Sequence, residues 1–413
     1  MISITDLLIY TVSFVGIYTT VFFILVLIEN RKHIKKKPLK QLPSVTVIVP
    51  AYNEEKTLSK TVESLLELDY PKDKLKIVIV DDGSKDNTLK VAKQYEKYSN
   101  ITVYSKPNGG KHTALNFALE RCNTDLAGAL DADSFVDSQA LKRLVAFFSD
   151  KKVMAVTPSM KIHNPKTVLQ HIQRMEFLIG IFLRKIFAFL DSIHVTPGPF
   201  TMYRVDYFRK YGMYKKAYHT EDIEIALRIQ TENLRIENCV DAYVYTHGPS
   251  KFVPLRKQRI RWYRGFLENV IDYKQLFGRK HGNLGLFVLP MSFVSVALII
   301  SLASYNIGLM LKNWYLSFKN LMAINFDVTN LQWFRFDLFF MNTKPVAVVG
   351  FFGLFMALCL VIITKFLSRE KKSILKSYVY FFLFYWVLFA YWWSLAIIQK
   401  LTNKKTTWGH KSE

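Results

Sequence analysis

Residues 7–28 form an unbroken apolar run without a formal charge. At ~1.5 Å per helical residue it is long enough to cross a hydrocarbon core of ~30 Å. No basic region precedes it and it exceeds the usual apolar length of a cleaved leader, so a membrane span is the stronger reading. Arg31-Lys32-His33-Ile34-Lys35-Lys36-Lys37 follows directly. The positive-inside rule places that segment in the cytosol and residue 1 outside, and its charge suits anionic lipid. Three further runs, 284–311, 346–367 and 378–398, lie toward the other end, with Arg369-Glu370-Lys371-Lys372 between the last two as a second cytosolic signal. Four spans would leave the basic tail, Lys404-Lys405-Thr406-Thr407-Trp408, outside, against its charge. The aromatic stretch 331–341, with Arg335 and Asp337, is a candidate interfacial or re-entrant piece that would restore parity.

The 413 residues carry 56 Lys and Arg against 33 Asp and Glu, a net charge of +23. The positives concentrate beside the spans, so lipid headgroups explain them better than nucleic acid does. Half the residues are hydrophobic, which excludes a disordered chain. Only Cys122, Cys239 and Cys359 are present, which excludes a disulfide scaffold and a zinc site built from cysteine pairs.

Between the spans the composition is that of a soluble domain, and its pattern alternates. Ser44 to Val49 is a strand-like run ending at Pro50, followed by a helical pattern over 55–68. Lys76 to Val80 is a second apolar strand, followed by a helix over 86–98. A strand over 101–104, a helix over 111–121 and a strand over 126–130 come next. Short continuous apolar strands alternating with helices predict an α/β domain with a mostly parallel sheet covered on both faces. Ligands of such sheets sit outside the carboxyl ends of the strands. Polar residues gather there: Tyr52-Asn53-Glu54, Asp81-Asp82 and Asp131-Ala132-Asp133. Neither a G-x-G-x-x-G nor a P-loop lysine motif is present.

Asp131 and Asp133 offer two hard oxygen donors that suit Mg²⁺ or Mn²⁺ bridging to phosphate; the competing reading is a helix cap before Ser134. Asp82-Gly83-Ser84 also reads as a turn. Asn108-Gly109-Gly110-Lys111 opens a helix where backbone and Lys111 can meet a diphosphate, or it is a plain glycine turn. His219-Thr220-Glu221-Asp222 opens a helix with Thr220 as N-cap. Asp222 is then an ionised proton acceptor or, with Glu221, a partner of the helix dipole. Gln258 and Trp262 share a helical face with Arg261 beside them, fit for sugar and pyrophosphate or for lipid headgroups. Residues 177–183, stopped by Arg184-Lys185, read as another interfacial piece or a core helix. His247 reads better as a structural histidine than as a metal ligand.

In order, Ala51-Tyr52-Asn53-Glu54, Val80-Asp81-Asp82-Gly83-Ser84, Asn108-Gly109-Gly110-Lys111 with Ala114-Leu115-Asn116, Asp131-Ala132-Asp133, Thr220-Glu221-Asp222 and Gln258-x-x-Arg261-Trp262 resemble membrane-embedded glycosyltransferase family 2. Within it the chain is similar to processive synthases of cellulose, hyaluronan and poly-N-acetylglucosamine. The resemblance implies a cytosolic GT-A-type domain joined to a transmembrane helical bundle with interfacial helices, in the plasma membrane. The implied organisation is a span (1–30), a basic linker (31–43), the catalytic domain (44–249), interfacial helices (250–283), a bundle (284–400) and a basic tail (401–413). It implies a UDP-sugar donor, held by Tyr52, Asn53, Glu54, Asp81 and Asp82 at the uridine. Asp131, Asp133 and Lys111 lie at the diphosphate, with Mg²⁺ or Mn²⁺ on the two aspartates. Asp222 is the implied base, and Gln258, Arg261 and Trp262 line the acceptor side. Thr196-Pro197-Gly198-Pro199-Phe200 falls where such synthases carry a small-residue loop, but its prolines and Phe200 depart from the usual Ser-Gly pattern and leave sugar and linkage open. Trp408 loosely resembles a C-terminal tryptophan motif. The implied acceptor is a polysaccharide, or a glycolipid in the single-transfer alternative, with membrane lipids and room for an accessory membrane subunit as further partners. A non-enzymatic membrane subunit or transporter fits less well, because a scaffold needs no base at Asp222.

Overall fold

The structure, a computed structural model, describes residues 4–323, 325–326 and 345–402. The stretch 331–341 and the tail with Lys404, Lys405 and Trp408 lie outside the described residues. The chain opens with α1 (Ile4–Glu29). It continues through β1 (Val45–Ala51), α2 (Leu58–Leu66), β2 (Leu75–Asp81), α3 (Thr88–Lys93), β3 (Ile101–Ser105), α4 (Lys111–Leu119), β4 (Leu126–Ala129) and β5 (Phe135–Val136). Next come α5 (Ala140–Val145), β6 (Val153–Ile162), α6 (Val168–Phe189), β7 (Met202–Arg204), α7 (Val205–Tyr211), α8 (Glu221–Thr231), β8 (Arg235–Thr246) and α9 (Phe252–Asp272). The long apolar helices α10 (Leu289–Ala323), α11 (Pro345–Leu367) and α12 (Leu375–Leu401) follow.

The eight strands make one sheet in the order β3-β2-β1-β4-β7-β6-β8-β5. The half built from β3, β2, β1 and β4 is parallel throughout, as the alternating pattern predicts. The other half is mixed. β7 leaves the carboxyl end of β4 and runs back against it, pairing Gly128 with Met202. β7 is also antiparallel to β6, while β6 and β8 are parallel and β5 is antiparallel to β8. Both faces of β1 are buried. Val45, Val47 and Val49 pack with Leu58, Val62 and Leu65 of α2 on one side, and Ile48 packs with Ala114, Leu115 and Ala118 of α4 on the other. That two-sided burial is why the strands read as continuous apolar runs rather than alternating ones. β1 continues one residue past Pro50, and the Ala51 carbonyl accepts from Asp82 N–H at 2.8 Å.

Among the described residues, four helices, α1, α10, α11 and α12, are long and apolar enough to cross a membrane. The run expected to stop at Arg184-Lys185 continues to Phe189 within α6. The basic pair does not end the helix, because Lys185 is fully buried against β8: it donates to the Asn238 carbonyl at 3.1 Å and pairs with Glu237 at 3.7 Å. The other side of α6 meets apolar helices, with Phe182 and Ile186 packed among Phe22, Phe23, Leu27, Leu360, Ile363 and Leu367. α6 is therefore the layer between sheet and bundle. The loop after α11 docks on this layer: Lys161 donates to the Ser368 carbonyl at 2.8 Å, and Arg174 pairs with Glu370 at 3.0 Å.

Candidate active site

The crevice lies at the carboxyl ends of β1, β2 and β4, where the sheet order reverses around β1. Asp81 ends β2 and is buried. Its Oδ2 accepts from the Ser105 hydroxyl at 3.1 Å, while Oδ1 is a buried acceptor without a hydrogen-bond partner. An unpaired buried carboxylate oxygen suits a ligand N–H. Asn53, at φ 56°, accepts from Lys85 N–H at 2.8 Å and so ties the two loops across the crevice. Glu54 faces its own chain: it accepts from the Thr57 hydroxyl at 2.5 Å at the start of α2.

Asp82 is committed to protein donors. Lys106 reaches Oδ1 at 2.6 Å, Gly109 N–H meets the same oxygen at 3.1 Å, and Gly110 N–H meets Oδ2 at 2.8 Å. Asp82 thus folds the glycine loop that opens α4. Gly110 sits at φ 90°, a conformation costly for other residues, and this turn aims Lys111 into the crevice. Asn116 fastens the same helix by a two-way exchange with the backbone of Tyr214, at 2.8 and 3.0 Å.

Lys111 forms an ion pair with Asp131 and lies 3.9 Å from Glu221. Burial opposes its charge, but Asp131, Glu221 and Asp222 outweigh burial and raise its pKa. Asp133 is displaced upward by burial and by the neighbouring Asp131 carboxylate. The helix-cap reading of this pair fails: β5 follows, and Asp137 accepts from Gln139 N–H at 3.1 Å at the start of α5. Among the described residues no cluster of three or more His, Cys, Asp or Glu gathers to hold a metal. His247 lines a cavity of about 130 Å³ with Lys56, Lys60, Phe135 and Asp133.

Asp222 lies in the first turn of α8. Burial and Glu221 push its pKa up to about 6, against the opposing pull of Lys111 and Arg261. Thr220 occupies the expected N-cap position, but its side chain does not cap α8. Its hydroxyl donates to the Ala217 carbonyl at 3.0 Å and accepts from Asn269 of α9 at 2.9 Å. Thr220 therefore joins two helices instead of closing one. The Thr196 hydroxyl donates to the Asp222 carbonyl at 2.8 Å, and a Cβ on Gly198 would lie 3.0 Å from Lys111 Nζ. The loop 196–200 is thus the wall beside Lys111. Phe200 is not part of that wall: its φ of 63° turns it into the core, fully buried.

On α9, Gln258, Arg261 and Trp262 are half-buried. Arg259, between them, is fully buried, pairs with Glu176 of α6 at 2.5 Å and lies 4.3 Å from the centre of the Trp262 ring system. Arg259, Glu176, Lys106 and Asn269 carry no signal in the sequence. Their partners are 83, 83, 24 and 49 residues away, so no local spacing marks them.

Residues 46–212 match the family described as Glycosyl transferase family 2. This stretch is a glycosyltransferase family 2 domain. The chain is 27% identical over 98% of its length, and 97% of the relative's, to a poly-beta-1,6-N-acetyl-D-glucosamine synthase of Staphylococcus epidermidis. It is 32% identical over 57% of its length, and 58% of the relative's, to the synthase of the same name from Staphylococcus aureus. Among solved structures, a mannosyltransferase of Pyrobaculum calidifontis, in complex with GDP-Man and Mn²⁺, superposes with a TM-score of 0.56 at 18% identity, over 95% of this chain and 99% of that one. This last likeness shows the shared fold.

Two outcomes follow for the glycosyltransferase. A Cβ on Gly265 would lie 2.3 Å from the Thr220 hydroxyl, so α9 can approach α8 this closely only with glycine there. Gly265→Ala should lower transfer at least about tenfold and lower the thermal unfolding temperature of the catalytic domain by roughly 2–12 °C, as side-chain overpacking of ~1–3 kcal/mol predicts. Were Asp222 the base, it would have to be unprotonated to act, and burial pushes its pKa up to about 6. Transfer should therefore hold above that pH and fall as pH drops through it. Asp222→Asn should lose ~10² or more at every pH while still binding nucleotide.

Proposed function

We propose that this glycosyltransferase moves a sugar, N-acetylglucosamine or glucose, from a UDP-sugar to the end of a β-linked polysaccharide and passes the product across the plasma membrane. The catalytic domain then faces the cytosol. The observation that carries the reading is the double attachment of α9. It bears Gln258, Arg261 and Trp262. At Gly265 and Asn269 it is locked to the helix of Asp222, and through Arg259 and Glu176 to the layer that meets the apolar helices. A sugar leaving the base has the membrane helices as its neighbour.

In this reading the uracil lies at Asp81 and the Tyr52-Asn53-Glu54 loop. Asp82 acts indirectly, by holding the glycine loop so that Lys111 meets the diphosphate. Asp222 takes the proton of the acceptor hydroxyl as its oxygen bonds to the anomeric carbon and the bond from that carbon to the diphosphate oxygen breaks. A single displacement inverts, so an α-linked donor gives a β-linkage. Lys111 and Arg261 hold the departing diphosphate. The residues fit a divalent cation: Asp131 and Asp133 are hard donors, and a cation between them would relieve the repulsion that raises Asp133. Bound there, Mg²⁺ or Mn²⁺ would neutralise the charge developing on the diphosphate. Trp262 offers a flat apolar face to a sugar ring.

Asp133→Ala should abolish turnover and remove the metal dependence of UDP binding, measured by titration calorimetry with and without Mn²⁺. Full activity in EDTA would overturn the metal assignment. Purified protein in liposomes, given rising UDP-sugar, should yield a high-mass ladder on a gel, protected from added glycosidase. Trp262→Ala should shorten that ladder more than it weakens UDP binding. A single organic-extractable species of fixed size at all donor concentrations would instead identify a one-step glycolipid synthase.

A further inference from the structure

α12 is long and apolar enough to span, and in the sequence it reads as the fourth crossing. Its contacts run differently. Near its start, the Ser377 hydroxyl is 3.0 Å from His171 Nδ1 on α6. Further along, the Tyr385 hydroxyl donates to Glu176 of α6 at 3.2 Å. Tyr391 stacks on Phe252 and Trp393 on Tyr263, with centroids 6.2 and 4.6 Å apart, both partners on α9. Near its end, Lys400 pairs with Glu268 of α9 at 3.6 Å, next in sequence to the Asn269 that bonds Thr220 beside the base. From Ser377 to Lys400 a helix rises roughly 35 Å, more than the apolar thickness of a bilayer. A helix that crossed would carry its far end away from the catalytic domain. This one touches α6 and α9 along its whole length.

The neighbouring helices give the level. The cytosol-proximal end of α1 is marked by Phe22, which meets Phe287 at 5.1 Å just before α10. The start of α10 is marked by Phe293, 6.0 Å from Phe266 of α9, and Trp393 is 6.0 Å from that same Phe266. Trp393 lies well along α12, yet it sits level with the first turns of α10. The face of α12 turned away from the protein is apolar: Val379, Phe382, Leu383, Trp386, Val387 and Ile398 are exposed. Lys376 and Lys400 flank it, placed to reach headgroups.

We propose that α12 does not cross the membrane but lies in the leaflet on the catalytic side, its outer face in acyl chains and its inner face against α6 and α9. Three crossings, α1, α10 and α11, then carry the chain. A chain that enters α12 on the catalytic side also leaves it there, which puts Lys404 and Lys405 with the other basic segments and removes the conflict with the positive-inside rule. The aromatic stretch 331–341 is not needed to restore parity.

The test is cysteine labelling of the full chain in intact cells with a membrane-impermeant maleimide, after Cys122, Cys239 and Cys359 are replaced by serine or alanine. Lys97→Cys reports the catalytic side and Lys319→Cys, near the end of α10, the opposite one. Thr406→Cys should label like Lys97→Cys, only once cells are opened; labelling from outside like Lys319→Cys would overturn the proposal. A second measurement does not depend on the tail. Spin labels at positions 379, 383, 387 and 398, in bilayers, should report one shallow depth from paramagnetic relaxation by oxygen and a nickel chelate. A depth that passes through a maximum along the helix would show a crossing and reject an in-plane α12.

Discussion

One ammonium, that of Lys111, interacts with four carboxylates, those of Asp131, Asp133, Glu221 and Asp222. Burial and like charges both disfavour ionised carboxylates, and a cation among them offsets this. The position of Lys111 is therefore the constraint on which the other parts depend. It is set by the φ of Gly110, which is set by the two backbone N–H groups that Asp82 accepts, which in turn depends on β2 ending where it does. A parallel sheet supplies these ends in register, so residues far apart in sequence meet without long side chains.

The second half of the site comes from outside the sheet. α8 and α9 approach until a glycine has no room for a methyl group, and Thr220 is shared between them. α9 reaches α6 through a buried arginine and glutamate. Burying such a pair costs desolvation on both sides, and its gain in stability over apolar packing is small. What it supplies is a fixed register. Trp262, beside Arg259, cannot slide along α6 without breaking the pair. The catalytic face and the apolar helices are thus one mechanical unit.

The parallel half of the sheet was legible because both-sided burial writes uninterrupted β-branched runs. The acidic strand ends were legible because nothing local explains two of them in one sheet. The mixed half was not: β7 has three residues and β5 two, too short to carry a pattern. Asp82 reads as a ligand contact in the sequence; that both of its oxygens also hold the glycine loop is visible only once Lys106 and Gly110 are folded beside it. Thr220 was read as a cap from its place before Glu221, but Asn269 takes its oxygen. Lys185 was read as the end of an apolar piece, and the strand beneath supplies the acceptor that lets it stay buried. In each case the deciding partner is distant in sequence.

The docking of the 368–374 loop bears on how this catalytic domain came to be inseparable from its helices. Lys161 on β6 and Arg174 on α6 are nearly buried, and both find their counter-charge in Glu370, which belongs to the far side of two apolar helices. A chain ending after the sheet would lose this counter-charge and, with it, the loop that covers Lys161 and Arg174. Here the boundary that composition draws between water-soluble and lipid-soluble sequence is not a boundary of electroneutrality.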